Sequence, residues 1–145
     1  MFIYYWKGTS QFALKDDKEA IKSYKLSIDY NIRNDTINQY ILLWSNFYLG
    51  MSYQYLNEKD CKSSSKFFKI VLDLHDNYKS SSYYAVYNSA AKLSQCTNKN
   101  IEKGLYLFKM AKAYLNLEPD SFASFNKTIL LSSYNYALEK DWIKS

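Results

Sequence analysis

Two stretches of the chain, LGMSYQYLNEKD at residues 49–60 and LLSSYNYALEKD at residues 130–141, have similar sequences. They share a spaced pair of tyrosines and a Glu-Lys-Asp ending, displaced by 81 residues. Half of that displacement is about 40 residues, which is the size of one unit in several α-helical repeat proteins. The comparison therefore predicts an internal repeat, each copy being a pair of helices.

A second pattern recurs with a similar period. A small residue, an aromatic residue and a small or apolar residue stand at i, i+4 and i+7, which is one face of a helix. The three sets are Ala20, Tyr24 and Ser27; Ser63, Phe67 and Ile70; and Gly104, Phe108 and Ala111. Successive sets lie 43 and 41 residues apart. We therefore expect the second helix of each repeat to pack through this face.

Short polar segments divide each repeat into two helices. We expect Asp17, Asp60 and Asn100 to cap the second helices, because their side chains can accept hydrogen bonds from the first exposed backbone N–H groups. Pro119 and Asp120 mark the last joint between repeats. The predicted helices, seven in all, cover residues 2–14, 17–31, 36–56, 60–75, 80–96, 101–116 and 121–140.

The composition agrees with an all-α domain. The 145 residues include only three Gly and one Pro, too few for the frequent turns of a β-sandwich or barrel. The net charge of +5 comes from lysines at helical spacing, which we interpret as solvated helix faces. With a single arginine, Arg33, the sequence lacks the residue type that dominates base-specific readout, so we predict no direct nucleic-acid binding. The chain has no run of about 18 apolar residues, so no membrane span is predicted.

The candidate chemical groups are few. Cys61, Cys96 and the single histidine, His75, cannot supply the four ligands of a structural zinc site, so we expect no metal and no cofactor. Glycine-rich phosphate loops and nucleophile–base pairs are also missing from the pattern. We therefore predict no catalytic residues and a protein that is not an enzyme. We interpret the cysteines as free thiols, which, without a signal peptide, favours the cytoplasm.

The helix pairs resemble the tetratricopeptide repeat. Its first-helix signature is matched by Leu49, Gly50 and Tyr53, and its second-helix signature by Ala20, Tyr24 and Ser27. The usual repeat has 34 residues, whereas these have about 40 to 43, roughly one more turn in each helix. The resemblance implies a right-handed α-solenoid of about 3.5 repeats in one domain, near residues 1–34, 35–77, 78–118 and 119–145.

A column of amide side chains is the candidate binding site. Gln11, Gln54, Gln95 and Asn135 fall at equivalent positions late on the first helices, 43, 41 and 40 residues apart. The resemblance implies that first helices line a concave peptide-binding surface, where an amide can both donate and accept. The predicted binding residues are Gln11, Gln54, Tyr55, Asn88, Lys92, Gln95, Asn135 and Tyr136. Gly8 favours a register shifted by one, which places Phe12 instead of Gln11 in the column.

Three functions remain open from the sequence. The first is a protein- or peptide-binding module that uses the concave groove. Repeats of this length also resemble the sensory domains of bacterial regulators that bind short signalling peptides. Because neither end shows a polar capping helix, the second is the sensory part of such a regulator, within a longer protein whose DNA-binding domain is missing here. The third is a scaffold that forms a homodimer through its solenoid ends.

Overall fold

The computed structural model describes residues 1–58, 60–78 and 82–117, apart from the side chains of residues 78 and 117. Over these ranges the chain forms six α-helices and no strand, which confirms the all-α prediction. The helices are α1 (Phe2–Ala13), α2 (Asp17–Ile32), α3 (Gln39–Leu56), α4 (Cys61–Tyr78), α5 (Tyr83–Cys96) and α6 (Asn100–Leu117). The seventh helix predicted over 121–140 lies outside the described residues.

The chain divides into two compact units, Met1–Ser80 with α1 to α4 and Ser81–Ser145 with α5 and α6. In the first unit each helix packs against the next one along the chain, and α1 also contacts α3. In the second unit α5 packs against α6. Short connections between consecutive packed helices are typical of antiparallel helical hairpins. This packing is compatible with a helical repeat.

The helix starts only partly follow the predicted caps. Asp60 caps α4 as expected, since its carboxylate accepts from the Ser63 backbone N–H at 3.1 Å. The cap of α2 is Asp16, not Asp17, because the Asp16 carboxylate accepts from the Glu19 N–H at 3.4 Å. Asn100 is already the first residue of α6, so its predicted capping role is wrong.

The first turn predicted for α3 is a loop. The buried Asn31 side chain donates to the Asn38 carbonyl and accepts from the Asn38 N–H, both at 2.9 Å. Asn38 in turn caps α3, because its side-chain oxygen accepts from the Ile41 N–H at 3.0 Å. These bonds hold the backbone of Asn38 outside the helix. Helix α3 therefore begins at Gln39, three residues later than predicted.

Two glycines set how closely the helices of each pair approach. A Cβ atom built on Gly8 would lie 3.0 Å from the Tyr24 ring, and one on Gly50 would lie 2.8 Å from the Phe68 ring. Both rings are fully buried. We call these contacts the glycine–aromatic contacts. They make Phe68, and not Phe67, the counterpart of Tyr24, because Phe67 is half-buried and instead stacks on Tyr53.

With Phe68 as the counterpart of Tyr24, α2 and α4 are related by a displacement of 44 residues. Buried Ala20 and Ser27 then correspond to Ser64 and Val71, which are buried too. The same displacement relates three lysines on each helix. These are Lys18, Lys22 and Lys25 on α2 and Lys62, Lys66 and Lys69 on α4. All six are exposed, as expected for solvated helix faces.

Two further expectations concern compartment and membrane. Within the described ranges, no helix is both long and apolar enough to cross a membrane. Neither Cys61 nor Cys96 is a free thiol in the structure, so the interpretation of both as free thiols is wrong. The two cysteines therefore give no support for a reducing compartment.

Candidate functional site

The helices α1 and α3 carry a connected series of aromatic rings. Along α3 the Tyr40 ring lies 6.2 Å from the Trp44 ring, which stacks on Tyr48 at 5.7 Å between ring centroids. Tyr48 lies 5.2 Å from Phe12 on α1, and Phe12 lies 5.8 Å from Tyr55 back on α3. We call these five residues the aromatic ladder.

Helical spacing explains why the ladder forms. Tyr40, Trp44 and Tyr48 are four residues apart, so their side chains follow one face of α3. Tyr55 lies seven residues after Tyr48 and returns to the same face after two turns. Phe12 stands in the last turn of α1 and bridges Tyr48 and Tyr55 because α1 packs against α3.

A buried tyrosine supports the middle of the ladder. The Tyr24 ring stacks on Tyr48 with centroids 5.8 Å apart and planes 12° from parallel. Its hydroxyl donates to the Thr9 hydroxyl oxygen at 3.3 Å. Burial raises the pKa of Tyr24 and raises the pKa of the neighbouring Tyr5 to about 12, so both phenols, neutral at physiological pH like any tyrosine, keep their protons in more alkaline solution too. The middle of the ladder therefore packs against an uncharged and fully buried side chain, Tyr24.

The two ends of the ladder face solvent. Tyr40 is 60% exposed and Tyr55 is 55% exposed, whereas Phe12, Trp44 and Tyr48 are half-buried. Helix α3 contains no charged residue. Large rings held by their neighbours offer contact area with little rotational freedom left to lose. The surface is therefore suited to apolar or aromatic side chains of a ligand.

The predicted amides of the first unit occupy different environments. The side-chain oxygen of Gln11 accepts from the Ser23 hydroxyl at 2.6 Å, so this amide is engaged with α2. Gln54 is half-buried, and its side-chain oxygen is buried without a hydrogen-bond partner. The displacement of 42 residues between Gly8 and Gly50 makes Phe12, not Gln11, the counterpart of Gln54. This is the shifted register that Gly8 favoured in the sequence.

The other predicted residues lie in the second unit. Asn88 and Lys92 are half-buried on α5, where the Asn88 amide donates to the Tyr84 carbonyl at 2.9 Å, and Gln95 is exposed. Asn135 and Tyr136 lie outside the described residues. The ligand-binding role of this amide column stays a prediction.

Of the predicted binding residues, Tyr55 alone belongs to the aromatic ladder. The sequence also pointed to Phe12, through the shifted register. Tyr40 and Tyr48 were missed. The signal was present, because an aromatic residue at every fourth position from 40 to 48 predicts one aromatic face. The spacing along α3 could not identify Phe12 as a member of the ladder, because Phe12 lies on another helix, α1.

The described part of the chain holds no group of three or more His, Cys, Asp or Glu side chains placed to bind a metal ion. In comparisons with known proteins, the chain matches no family model, no curated protein and no solved structure.

Proposed function

We propose that this protein is a protein- or peptide-binding module and that the aromatic ladder is its ligand surface. The observation that carries the proposal is the continuous contact of five rings with both ends exposed. Aromatic residues are enriched where proteins bind other proteins, because they bury much area at a small entropic cost. The proposal moves the main binding role from the amide column to the ladder and keeps Tyr55.

The chemistry of the surface favours an apolar ligand segment. Lys7 is the sole charged residue of α1, and α3 carries none. A ligand with two or more aromatic, leucine or proline side chains can place them on the rings between Tyr40 and Tyr55. The phenol oxygens of these two exposed tyrosines are available to the ligand backbone.

The proposal includes a tetratricopeptide-like architecture in which the helix pairs stack as a right-handed α-solenoid. Three findings in the first unit support it: consecutive helices pack, α1 contacts α3, and the glycine–aromatic contact occurs in both pairs. In such an architecture α1 and α3 are successive first helices, which would put the ladder on the inner surface. A binding role without catalysis belongs to the same proposal, and the cytoplasmic location stays a prediction. The sensory part of a transcriptional regulator stays a prediction.

A fluorescence-polarisation screen tests the binding role. The probes are labelled twelve-residue peptides that carry two aromatic, leucine or proline residues at varied spacing, and glycine–serine peptides serve as the blank. We expect at least one apolar class to bind the full chain saturably. Tyr55→Ala should weaken that binding about tenfold, because truncating an interface aromatic residue commonly costs more than about 1 kcal/mol.

The matched control is Tyr84→Ala on α5, because Tyr84 is also 55% exposed. This change should leave the affinity within about twofold of the original value. Equal losses from Tyr55→Ala and Tyr84→Ala would reject the ladder as the site. Gln54→Ala and Gln95→Ala test the amide column separately, since binding that neither change affects would remove the amides from the proposal.

A further inference from the structure

The outer side of α1 is unusually apolar for an exposed helix face. Ile3 is 80% exposed, Trp6 60% and Leu14 81%, and Phe2 beside them is 49% exposed. Ile3, Ser10 and Leu14 follow one line along the helix at i, i+7 and i+11, with Trp6 next to it. We call Phe2, Ile3, Trp6, Ser10 and Leu14 the α1 face.

Two positions of the α1 face correspond to packing positions on α3, whereas Leu14 corresponds to Leu56, which is exposed. The 42-residue displacement between Gly8 and Gly50 relates Ile3 to Ser45 and Trp6 to Tyr48. Ser45 is fully buried, with its hydroxyl oxygen 3.3 Å from that of Ser27 on α2, and Tyr48 contacts Tyr24 and Phe12. The part of the α1 face around Ile3 and Trp6 is therefore equivalent to a surface that other helices cover on α3.

The order of residues on the α1 face fits a second copy of itself. Large apolar residues stand at both ends, and the small Ser10 stands near the middle. When two such helices pair antiparallel about a twofold axis, Ile3 of each copy faces Leu14 of the other, and Trp6 falls near Ser10. An isologous interface needs this self-complementarity. The helix also has no acidic residue, so a partner of complementary charge has only Lys7 to recognise.

The area is adequate for a weak dimer. With roughly 150–250 Å² for a large aromatic side chain and about 150 Å² for Ile or Leu, the exposed fractions give about 400–500 Å² of apolar surface on each copy. Two copies would bury roughly 800–1,000 Å², to which the Lys7 stem and Ala13 add. This total lies below the roughly 1,200 Å² at which stable specific interfaces begin, in the range of weak, transient contacts. We propose that the protein forms an antiparallel homodimer through the α1 face, with a dissociation constant of about micromolar order.

Sedimentation velocity of the full chain from about 1 to 500 µM tests the proposal, because this range brackets micromolar dimerisation. We expect a monomer–dimer equilibrium. A monomer throughout the range, or a larger assembly, would overturn it. Ile101→Lys on α6 is the control, because Ile101 is 66% exposed and lies in the other unit. It should leave the dimer constant unchanged.

Charge pairs test the antiparallel register. Ile3→Lys combined with Leu14→Lys puts like charges opposite each other, and we expect dimerisation to weaken at least tenfold. Ile3→Lys combined with Leu14→Glu puts opposite charges opposite each other. We expect this variant to dimerise more strongly than the double-lysine variant at low salt, and we expect that advantage to disappear at high salt. This register would be rejected if both combinations weakened dimerisation equally, or if neither combination weakened it.

A single substitution tests the same proposal with less risk of misfolding than the double variants. Ser10→Arg inserts a bulky cation at the centre of the α1 face, where Ser10 makes only a local bond to the Trp6 carbonyl at 3.1 Å. We expect a monomer with unchanged helical circular dichroism, and an unchanged dimer constant would contradict the proposal. None of these positions belongs to the aromatic ladder. The dimer proposal can therefore be rejected while the peptide-binding proposal is supported, and the peptide-binding proposal can be rejected while the dimer proposal is supported.

Discussion

The helix pairs α1–α2 and α3–α4 share one packing device but present different surfaces. Both bring a glycine against a buried aromatic ring, Gly8 against Tyr24 and Gly50 against Phe68. Both carry three exposed lysines at equivalent positions on the second helix. The first helices differ: the middle of the aromatic face of α3 packs against Phe12 and Tyr24, whereas α1 leaves the equivalent face to solvent. The shared features stabilise each pair, and the divergent faces are where we place binding and self-association.

The largest expected effect comes from removing either buried ring. Tyr24→Ala and Phe68→Ala should each lower the free energy of unfolding by about 3–5 kcal/mol, because each leaves a large cavity beside a glycine. Leu26→Ala, at a 41% exposed position of α2, should lower it by less than about 1 kcal/mol. Chemical denaturation measures all three. A small loss for one ring and a large loss for the other would break the equivalence of the two pairs.

The glycines should show a smaller and graded effect. Gly50→Ala puts a methyl group 2.8 Å from the Phe68 ring, against 3.0 Å for Gly8→Ala and Tyr24. Overpacking costs about 1–3 kcal/mol, and the better helix propensity of Ala returns about 1 kcal/mol. We expect a net loss of about 1–2 kcal/mol for Gly50→Ala and less for Gly8→Ala in urea unfolding. Higher stability of Gly50→Ala would contradict the close contact.

Tyr24→Phe makes the first pair more like the second. It removes the hydrogen bond to Thr9, so we expect a loss of about 1 kcal/mol at pH 7. Burial raises the pKa of Tyr24 above its usual value of 10, so the folded state keeps the proton longer than the unfolded state. The resulting stabilisation is complete below pH 10 and is lost as the pH rises further. The stability of Tyr24→Phe should therefore fall less steeply above pH 10, and identical slopes would contradict the burial.

The exposed lysines should have the smallest effect. Lys22 pairs with Glu19 at 2.7 Å on an exposed surface, and Lys66 lies over the Phe67 ring at 5.6 Å. Because such contacts are screened by water and salt, we expect no measurable shift in Tm for Lys22→Gln or Lys66→Gln. A clear loss from either would show that the outer faces do more than keep the helices solvated.

Much of the architecture could be predicted from the sequence, and the failures have local causes. Periodicity predicted the helix pairs because it depends on many residues at once. The choice between Phe67 and Phe68 depends on which ring meets Gly50, and neighbouring residues cannot decide that. The start of α3 depends on the bonds between Asn31 and Asn38, which join side chain to backbone across seven residues. The ladder needs Phe12 from α1, so spacing along α3 alone could not reveal it.

The central claim is that ligands bind on the aromatic ladder. The most direct test is an NMR titration of the full chain with a peptide that binds in the polarisation screen. We expect the largest shifts at Tyr40, Tyr55, the Trp44 indole N–H and the α1 residues around Phe12, with little change at Lys22 and Lys66. Shifts concentrated on the outer faces of α2 and α4, or confined to α5 and α6, would contradict the account.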